Sequence, residues 1–91
     1  MAIDAQVDVL KEGAQIWNAW RAERPESVPD LSGGHLRGFD LRNTDLSGAD
    51  LTRAGLRGVQ FLNCPQLETA LNWQSTYRDE DLACGAVIPN H

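Results

Sequence analysis

Cysteine is scarce in this sequence. Its two cysteines, Cys64 and Cys84, are too few for a disulfide framework and do not form a CxxC pair. We therefore expect two reduced, partly buried thiols, with a Cys64–Cys84 bridge that ties the C-terminal tail to the rest of the chain as the alternative. A zinc site would have to recruit His35 and His91, which share no ligand spacing with the cysteines. The sequence thus predicts no metal and no cofactor.

Long hydrophobic runs are also missing. No segment approaches the roughly 18 consecutive apolar residues of a membrane-spanning helix, so no membrane partner is expected. The start, MAIDAQVDVLKEGAQ, has no basic residues followed by an apolar run, which predicts no secretory signal and a cytoplasmic location. The length of 91 residues predicts one small domain.

Clustered positive charge is absent as well. The net charge is −5, and the central residues 30–63 are neutral, with four aspartates against four arginines. The acid excess lies in the flanks 1–29 and 64–91. A phosphate backbone needs clustered Lys and Arg, so we expect no nucleic-acid partner. The chain also shows no nucleophile beside a base, no ligand cluster and no phosphate-binding glycine loop, so it is predicted not to be an enzyme.

A large apolar residue returns at every fifth position in the middle of the chain. A period of five fits neither an α-helix nor a flat strand, and it indicates an internal repeat. Small residues stand two places before most of these centres, so both positions are predicted to point inward while the other three meet solvent. The predicted core consists of Leu31, Leu36, Leu41, Leu46, Leu51, Leu56 and Phe61, with Ala49 and Ala54.

The units ADLTR and TDLSG resemble the A(D/N)LXX unit of the pentapeptide-repeat proteins. The flanking segments LKEGAQIWNAWR and NWQSTYRDEDLACGAVIP also resemble segments found beside such repeats. The resemblance implies a mainly β fold, in which each five residues form one side of a square and four fives form one coil. Residues 30–63 would then build a right-handed quadrilateral parallel β-helix of about two coils, with equivalent positions of successive coils stacked on each other.

The flanks are predicted to cap the two ends of this stack, which would otherwise expose backbone edges and apolar side chains. Residues 1–24 are expected to hold one amphipathic helix, from about Asp4 to Ala22, followed by a linker at 25–29. Residues 64–91 are expected to form a short helical cap, whose acidic run is either part of the cap or a separate docking peptide. The predicted capping residues are Leu10, Trp17, Trp20, Leu67, Leu71 and Trp73.

The short members of this family imply a module that binds another protein or acts as a scaffold. The candidate partner contacts are the outward residues Arg37, Arg42, Arg53, Arg57 and Leu62, although Leu62 could instead contact the C-terminal cap. One alternative is a DNA mimic that inhibits DNA gyrase or another nucleic-acid enzyme, as some larger members do. A further alternative is self-assembly through the coil ends, so the state is expected to be a monomer or a homodimer.

Overall fold

The computed structural model describes residues 3–79, 82 and 84. Two helices begin the chain, α1 (Asp4–Lys11) and α2 (Ala14–Ala22). A short helix α3 (Cys64–Leu67) and a 3₁₀ turn (Trp73–Ser75) follow the repeats. None of the helices in this described part is long and apolar enough to cross a membrane.

Isolated parallel bridges join successive coils of the repeat segment, and the described residues contain no longer strand. The first coil meets the second where Asp30 pairs with Asp50, His35 with Gly55 and Asp40 with Gln60. These pairs share one offset along the sequence, which is the length of a coil made of four fives. At the first of them, the Leu31 N–H donates to the Asp50 carbonyl at 2.9 Å. The arrangement is β-helix-like, with each side of a coil too short for a regular strand.

The stack extends beyond the repeats into the C-terminal segment. Asp50 also pairs with Leu71, and Gly55 pairs with Tyr77, at slightly longer offsets along the sequence than within the repeats. Two sides of a third layer therefore lie above the second coil. The five-residue period could not reveal this layer, because α3 intervenes and shifts the spacing.

Each corner between sides is a four-residue turn that explains the composition of the repeat. The N–H three residues after each leucine centre donates to that leucine's carbonyl at 2.9–3.3 Å. The residue two places after the centre has φ between 56° and 78°. This is the signature of a type II turn, which favours glycine or asparagine at that position. The residues at these corners are Gly33, Gly38, Asn43, Gly48, Arg53 and Gly58.

The aspartates one place before the centres brace these turns. The Asp45 carboxylate accepts the Ser47 N–H at 3.1 Å and the Ser47 hydroxyl at 2.5 Å. Asp50 binds Thr52 in the same way, at 3.0 and 2.5 Å. An aspartate followed two residues later by Ser or Thr therefore fixes the turn through local side-chain to backbone bonds.

The core runs along the inside of the stack. Its six leucine centres are 0–1% exposed, and Ala49 and Ala54 are fully buried between them. The bulky Phe39, at a position where the repeat has small residues, is only partly buried and packs against this core.

The prediction that Phe61 belongs to the core is wrong, because its side chain is 63% exposed. Phe61 itself has φ 61°, and the Arg42 guanidinium lies 4.2 Å from its ring centroid. The chain leaves the coil after Gln60, and the Asn63 side chain caps α3 by accepting the Gln66 N–H at 2.8 Å. The change of backbone direction removes the inward position that the five-residue period assigns to Phe61.

The N-terminal segment holds two helices rather than the single helix that the apolar stripe predicts. Gly13 separates them with φ 105°, a conformation that other residues adopt only with strain. Leu10 and Trp17 are fully buried, one on each helix, and Trp20 is half-buried with its ring stacked on Trp17 at 5.3 Å.

Side chains of α1 and α2 satisfy the backbone at the lower edge of the first coil. The Trp17 indole N–H and the Arg21 guanidinium both donate to the Asp45 carbonyl at 2.8 Å. The Asn18 amide accepts the Asp45 N–H at 2.8 Å. At another side, the Gln6 amide oxygen accepts the Asp30 N–H at 2.7 Å. The helices therefore close this edge with hydrogen bonds as well as with apolar surface.

At the other end, α3 replaces one side of the second coil. The Gln66 amide reaches beneath α3 and donates at 2.7 Å to the carbonyls of Leu41 and Thr44. Leu67 is fully buried, and Trp73 is partly buried against the core.

The predicted capping residue Leu71 covers the second coil with its main chain and not with its side chain, which is 48% exposed. Leu71 pairs with Asp50 and so takes the outward register of its side, while the preceding Ala70 is buried. The main chain of Leu71 still covers the second coil, since its N–H donates to the Ala49 carbonyl at 2.8 Å.

The two cysteines are also not the reduced thiols that the sequence favours. Cys64 and Cys84 form a disulfide with their Cα atoms 5.3 Å apart. The bridge links the first residue of α3 to the C-terminal segment, which is the alternative that the sequence left open.

Candidate interaction surface

The four candidate arginines lie at corners of the stack, with exposed side chains. Arg37 and Arg57 occupy equivalent positions in successive coils, each directly after a leucine centre. Together with Gly58 and Asp79 they line one shallow groove, which we call the arginine groove. The groove therefore brings these two arginines of successive coils to one place on the surface.

A carboxylate of the chain itself occupies the arginine groove. Asp79 accepts the Gly58 N–H at 2.7 Å, and its other oxygen lies 3.6 Å from the Arg57 Nε. Both side chains of this ion pair are about half exposed, at 56% and 45%. Exposed pairs of this kind contribute about 0–1 kcal/mol, so the pairing holds Asp79 only weakly. Arg37 makes no hydrogen bond or ion pair with the residues that the structure describes.

Arg42 lies in different surroundings. Its guanidinium pairs with Asp40 at 3.2 Å and stacks on Phe61. The neighbouring groove runs between this corner and the α1–α2 junction at Gly13. The Arg42 guanidinium is therefore already engaged, both in an ion pair with a carboxylate and in stacking on an aromatic ring.

Arg53 lies at yet another corner, where it borders a groove with Ser32, Gly33 and Thr52. It is the one corner residue that is neither glycine nor asparagine, and it keeps φ at 56°. Its N–H donates to the Ser75 hydroxyl at 3.0 Å. The structure thus brings Arg37 and Arg57 together but places Arg42 and Arg53 apart from them.

Leu62 does not point freely into solvent as a partner contact would. It is partly buried and packs against the core. This burial weighs against Leu62 as a free partner contact.

A buried arginine holds the segment that carries Asp79. The Arg78 guanidinium donates to the carbonyls of Gln74 and Leu82 at 3.3 Å and lies 5.3 Å from the Trp73 ring centroid. Burial lowers the pKa of Arg78 from its usual value, because the charged form loses solvation. Leu82 is buried as well, so Asp79 is anchored on both sides.

Two carboxyl groups of the repeat have perturbed titration. The hydrogen bond from the Ser47 hydroxyl lowers the pKa of Asp45, and the Ser32 hydroxyl does the same for the pKa of Asp30. Both pKa shifts come mainly from the hydrogen bonds that brace the turns, and the Arg21 charge makes a smaller contribution at Asp45, so the shifts have a structural origin.

The structure places three possible metal donors close together. The ligand atoms of Cys64, Glu68 and Cys84 lie within 4.8 Å of one another. The two sulfurs are bonded to each other, so neither is a thiolate that could bind a metal. The set therefore gives no support to a metal centre in this bridged form.

Sequence reasoning missed the roles of Asp79, Gly58 and Arg78. The acidic run that follows Tyr77 was the available signal, and it left a cap and a docking peptide as alternatives. The structure shows Asp79 docked onto the chain's own groove. Glu80 and Asp81 lie outside the described residues.

Comparison with known protein families gives a match over the repeat segment. The sequence model of the family described as "Pentapeptide repeats (8 copies)" matches residues 30–64. No curated protein and no solved structure shows significant similarity to the chain.

Proposed function

Residues 30–64 make this chain a member of the pentapeptide-repeat proteins, and on that premise we propose that it is a non-catalytic module that binds another protein. The observation that carries this proposal is the arginine groove, which is lined by the side chains of Arg37 and Arg57 from equivalent positions of successive coils. A surface fixed by turns and bridges loses little conformational entropy on binding, which favours a docking role.

The finer form of the fold is part of the proposal. The bridges recur at an offset of one coil, and a turn follows each five-residue side. Both features support a right-handed quadrilateral parallel β-helix. In such a stack, side chains at equivalent positions of successive coils form ordered columns about 4.8 Å apart. Arg37 and Arg57 would be neighbours in one of these columns.

The experiment is in-cell crosslinking followed by capture and mass spectrometry. The wild type is compared with Arg37→Glu/Arg57→Glu and with Arg53→Glu, which reverses one exposed arginine outside the groove. Thermal unfolding first shows that each variant is folded. A partner that is captured by the wild type and by Arg53→Glu, and lost with the double variant, supports the proposal. Equal recovery by all three proteins contradicts a role for the groove.

The other two functions named by the sequence have less support. A DNA mimic needs a dense row of carboxylates, whereas the aspartates Asp45 and Asp50 are used to brace turns. Self-assembly through coil ends needs open edges, whereas α2 side chains bind the backbone of Asp45. Light scattering on the purified chain tests self-assembly directly, because a monomer excludes it.

A cytoplasmic location is also a proposal. Disulfides persist in oxidising compartments and are rare in the cytosol of mesophiles, so the bridge is the observation that weighs against it. Cell fractionation combined with thiol trapping of Cys64 and Cys84 tests it. Recovery of the bridged form in an extracytoplasmic fraction would contradict it.

A further inference from the structure

We infer that the arginine groove recognises a carboxylate side chain of an extended acidic segment, and that Asp79 is an internal competitor for the same position. This inference rests on the proposed function and specifies the chemistry of the partner. Three observations carry it: a corner backbone donor that a side chain satisfies, an excess of positive charge, and the way in which Asp79 is held.

The first observation concerns the corner N–H groups. Two corner N–H groups of the first coil donate to backbone carbonyls of the layer above, Gly33 to Thr52 at 2.8 Å and Gly48 to Thr69 at 2.9 Å. In the second coil the Arg53 N–H donates instead to the Ser75 hydroxyl at 3.0 Å. At the Gly58 corner the acceptor is the Asp79 carboxylate, at 2.7 Å. Side chains therefore supply the acceptors at these two corners of the second coil, and only the acceptor at Gly58 is a charged carboxylate. Any acceptor of suitable reach can take this position when Asp79 leaves it.

The second observation concerns charge. Among the residues that the structure describes, the groove is lined by two arginines, Arg37 and Arg57, and by the single carboxylate of Asp79. Guanidinium groups and a backbone N–H together match a carboxylate, since charge-assisted hydrogen bonds are stronger than neutral ones. A neutral acceptor would leave both positive charges uncompensated. The groove thus selects an acidic side chain over an amide or a hydroxyl.

The third observation concerns competition. Asp79 takes the Gly58 N–H, so an external carboxylate gains that donor and Arg57 only by displacing it. Asp79 is confined near the groove by the buried Arg78 and Leu82 on its two sides. Its local concentration is therefore high although its ion pair is exposed and weak. The apparent affinity for a partner falls in proportion to the fraction of molecules with the groove vacated.

The test is fluorescence anisotropy with a short labelled peptide of alternating Asp and Gly, at low salt. A second peptide with Asn in place of Asp is the chemical control. The full-length proteins are the wild type, Asp79→Ala, Asp79→Asn and Asp8→Asn. Asp8 is exposed on α1, so its substitution reproduces the change in net charge without touching the groove.

We expect Asp79→Ala to bind the acidic peptide more tightly than the wild type by up to about fivefold, the upper end of the range for loss of one exposed charged contact. Asp79→Asn should lie between them, because its amide oxygen still accepts the Gly58 N–H. Asp8→Asn should bind like the wild type, and the Asn peptide should bind none of the proteins. Added salt should weaken every interaction.

Equal affinities of Asp79→Ala and the wild type would overturn the inference, and so would an equal gain with Asp8→Asn. A folding defect is separated from lost competition by thermal unfolding of each variant. If the peptide result is negative while the crosslinked partner still depends on Arg37 and Arg57, the carboxylate inference fails and the proposed function stands. Loss of both results removes the proposed function as well.

Discussion

Removal of the Cys64–Cys84 bridge should greatly destabilise the protein. The bond joins two residues at a sequence separation of 20. In the chain-entropy treatment, a loop of this length restricts the unfolded state by about 3 kcal/mol. The loop contains both sides of the third layer and the buried residues Leu67 and Leu82, so this whole region loses its covalent closure on reduction.

The assay is urea unfolding followed by tryptophan fluorescence, with and without a dithiol reductant. The wild type should lose about 3 kcal/mol of unfolding free energy on reduction, which corresponds to a fall in melting temperature of roughly 12–24 °C for a domain of this size. The double variant Cys64→Ser/Cys84→Ser should match the reduced wild type. Its free energy of unfolding should not change when reductant is added, so it serves as the matched control.

Intact-mass analysis must first show that the wild type is bridged. If the bridged and reduced forms then unfold within about 0.5 kcal/mol of each other, the reasoning is refuted. Residual structure in the unfolded chain or the hydrogen bonds of Arg78 and Gln66 would then account for the closure of this end.

Three further predictions concern the stack itself. Leu51→Ala, at the centre of the stack, should lower the free energy of unfolding by about 2–5 kcal/mol in urea titrations, since it leaves a cavity between two layers; a loss below about 1 kcal/mol would contradict tight packing there. Gly58→Ala forces a side chain into φ 76° and should cost about 1–2 kcal/mol, whereas Arg53→Gly should cost less or stabilise, because it relieves the same strain at φ 56°. Thermal unfolding of the two variants side by side checks the order. Asp45 has a pKa below its usual 3.8, so its extra stability is present above about pH 4 and is lost as the pH falls through the lowered value. The stability of Asp45→Asn should therefore fall less steeply than that of the wild type below about pH 4 in acid titrations.

The repeat body could be predicted from the sequence because local and global signals agree there. A leucine such as Leu51 marks the core, and a glycine such as Gly58 marks the corner that needs a positive φ. Asp45 and Ser47 brace the corner between them. Each five-residue unit contains the residues that determine the conformation of its own side. The prediction of that side therefore needs no information about distant residues.

The ends of the stack could not be predicted in the same way. Phe61 continues the period but is turned outward by the change of direction before α3. Leu71 is apolar yet takes the outward register, because it pairs with Asp50 at an offset longer than one coil of the repeat. Gly13 lies within an apolar stripe that a single helix would satisfy equally well. In each case the decisive contact is made with another part of the chain.

The candidate surface was only partly predictable. The proximity of Arg37 and Arg57 follows from their equivalent positions in successive coils. The surroundings of Arg42 and Arg53 could not be predicted in this way, because each has partners that are specific to its own corner. The docking of Asp79 depends on the buried anchor Arg78. An arginine that binds carbonyls in the interior has no local pattern that distinguishes it from an arginine at the surface.

The nearly constant offset between paired residues also determines how the chain can fold. Each bridge between the described residues joins positions about one coil apart, so a coil can form only after a loop of that length has closed on the layer before it. The entropy cost of loop closure is incurred before the stabilising contacts between coils form. Folding is therefore expected to be slower than that of a helical bundle of equal length. The first closed coil then serves as a template, and each later side adds to an edge that is already ordered. The chain should thus assemble by nucleation on one layer followed by growth, as a short one-dimensional array does.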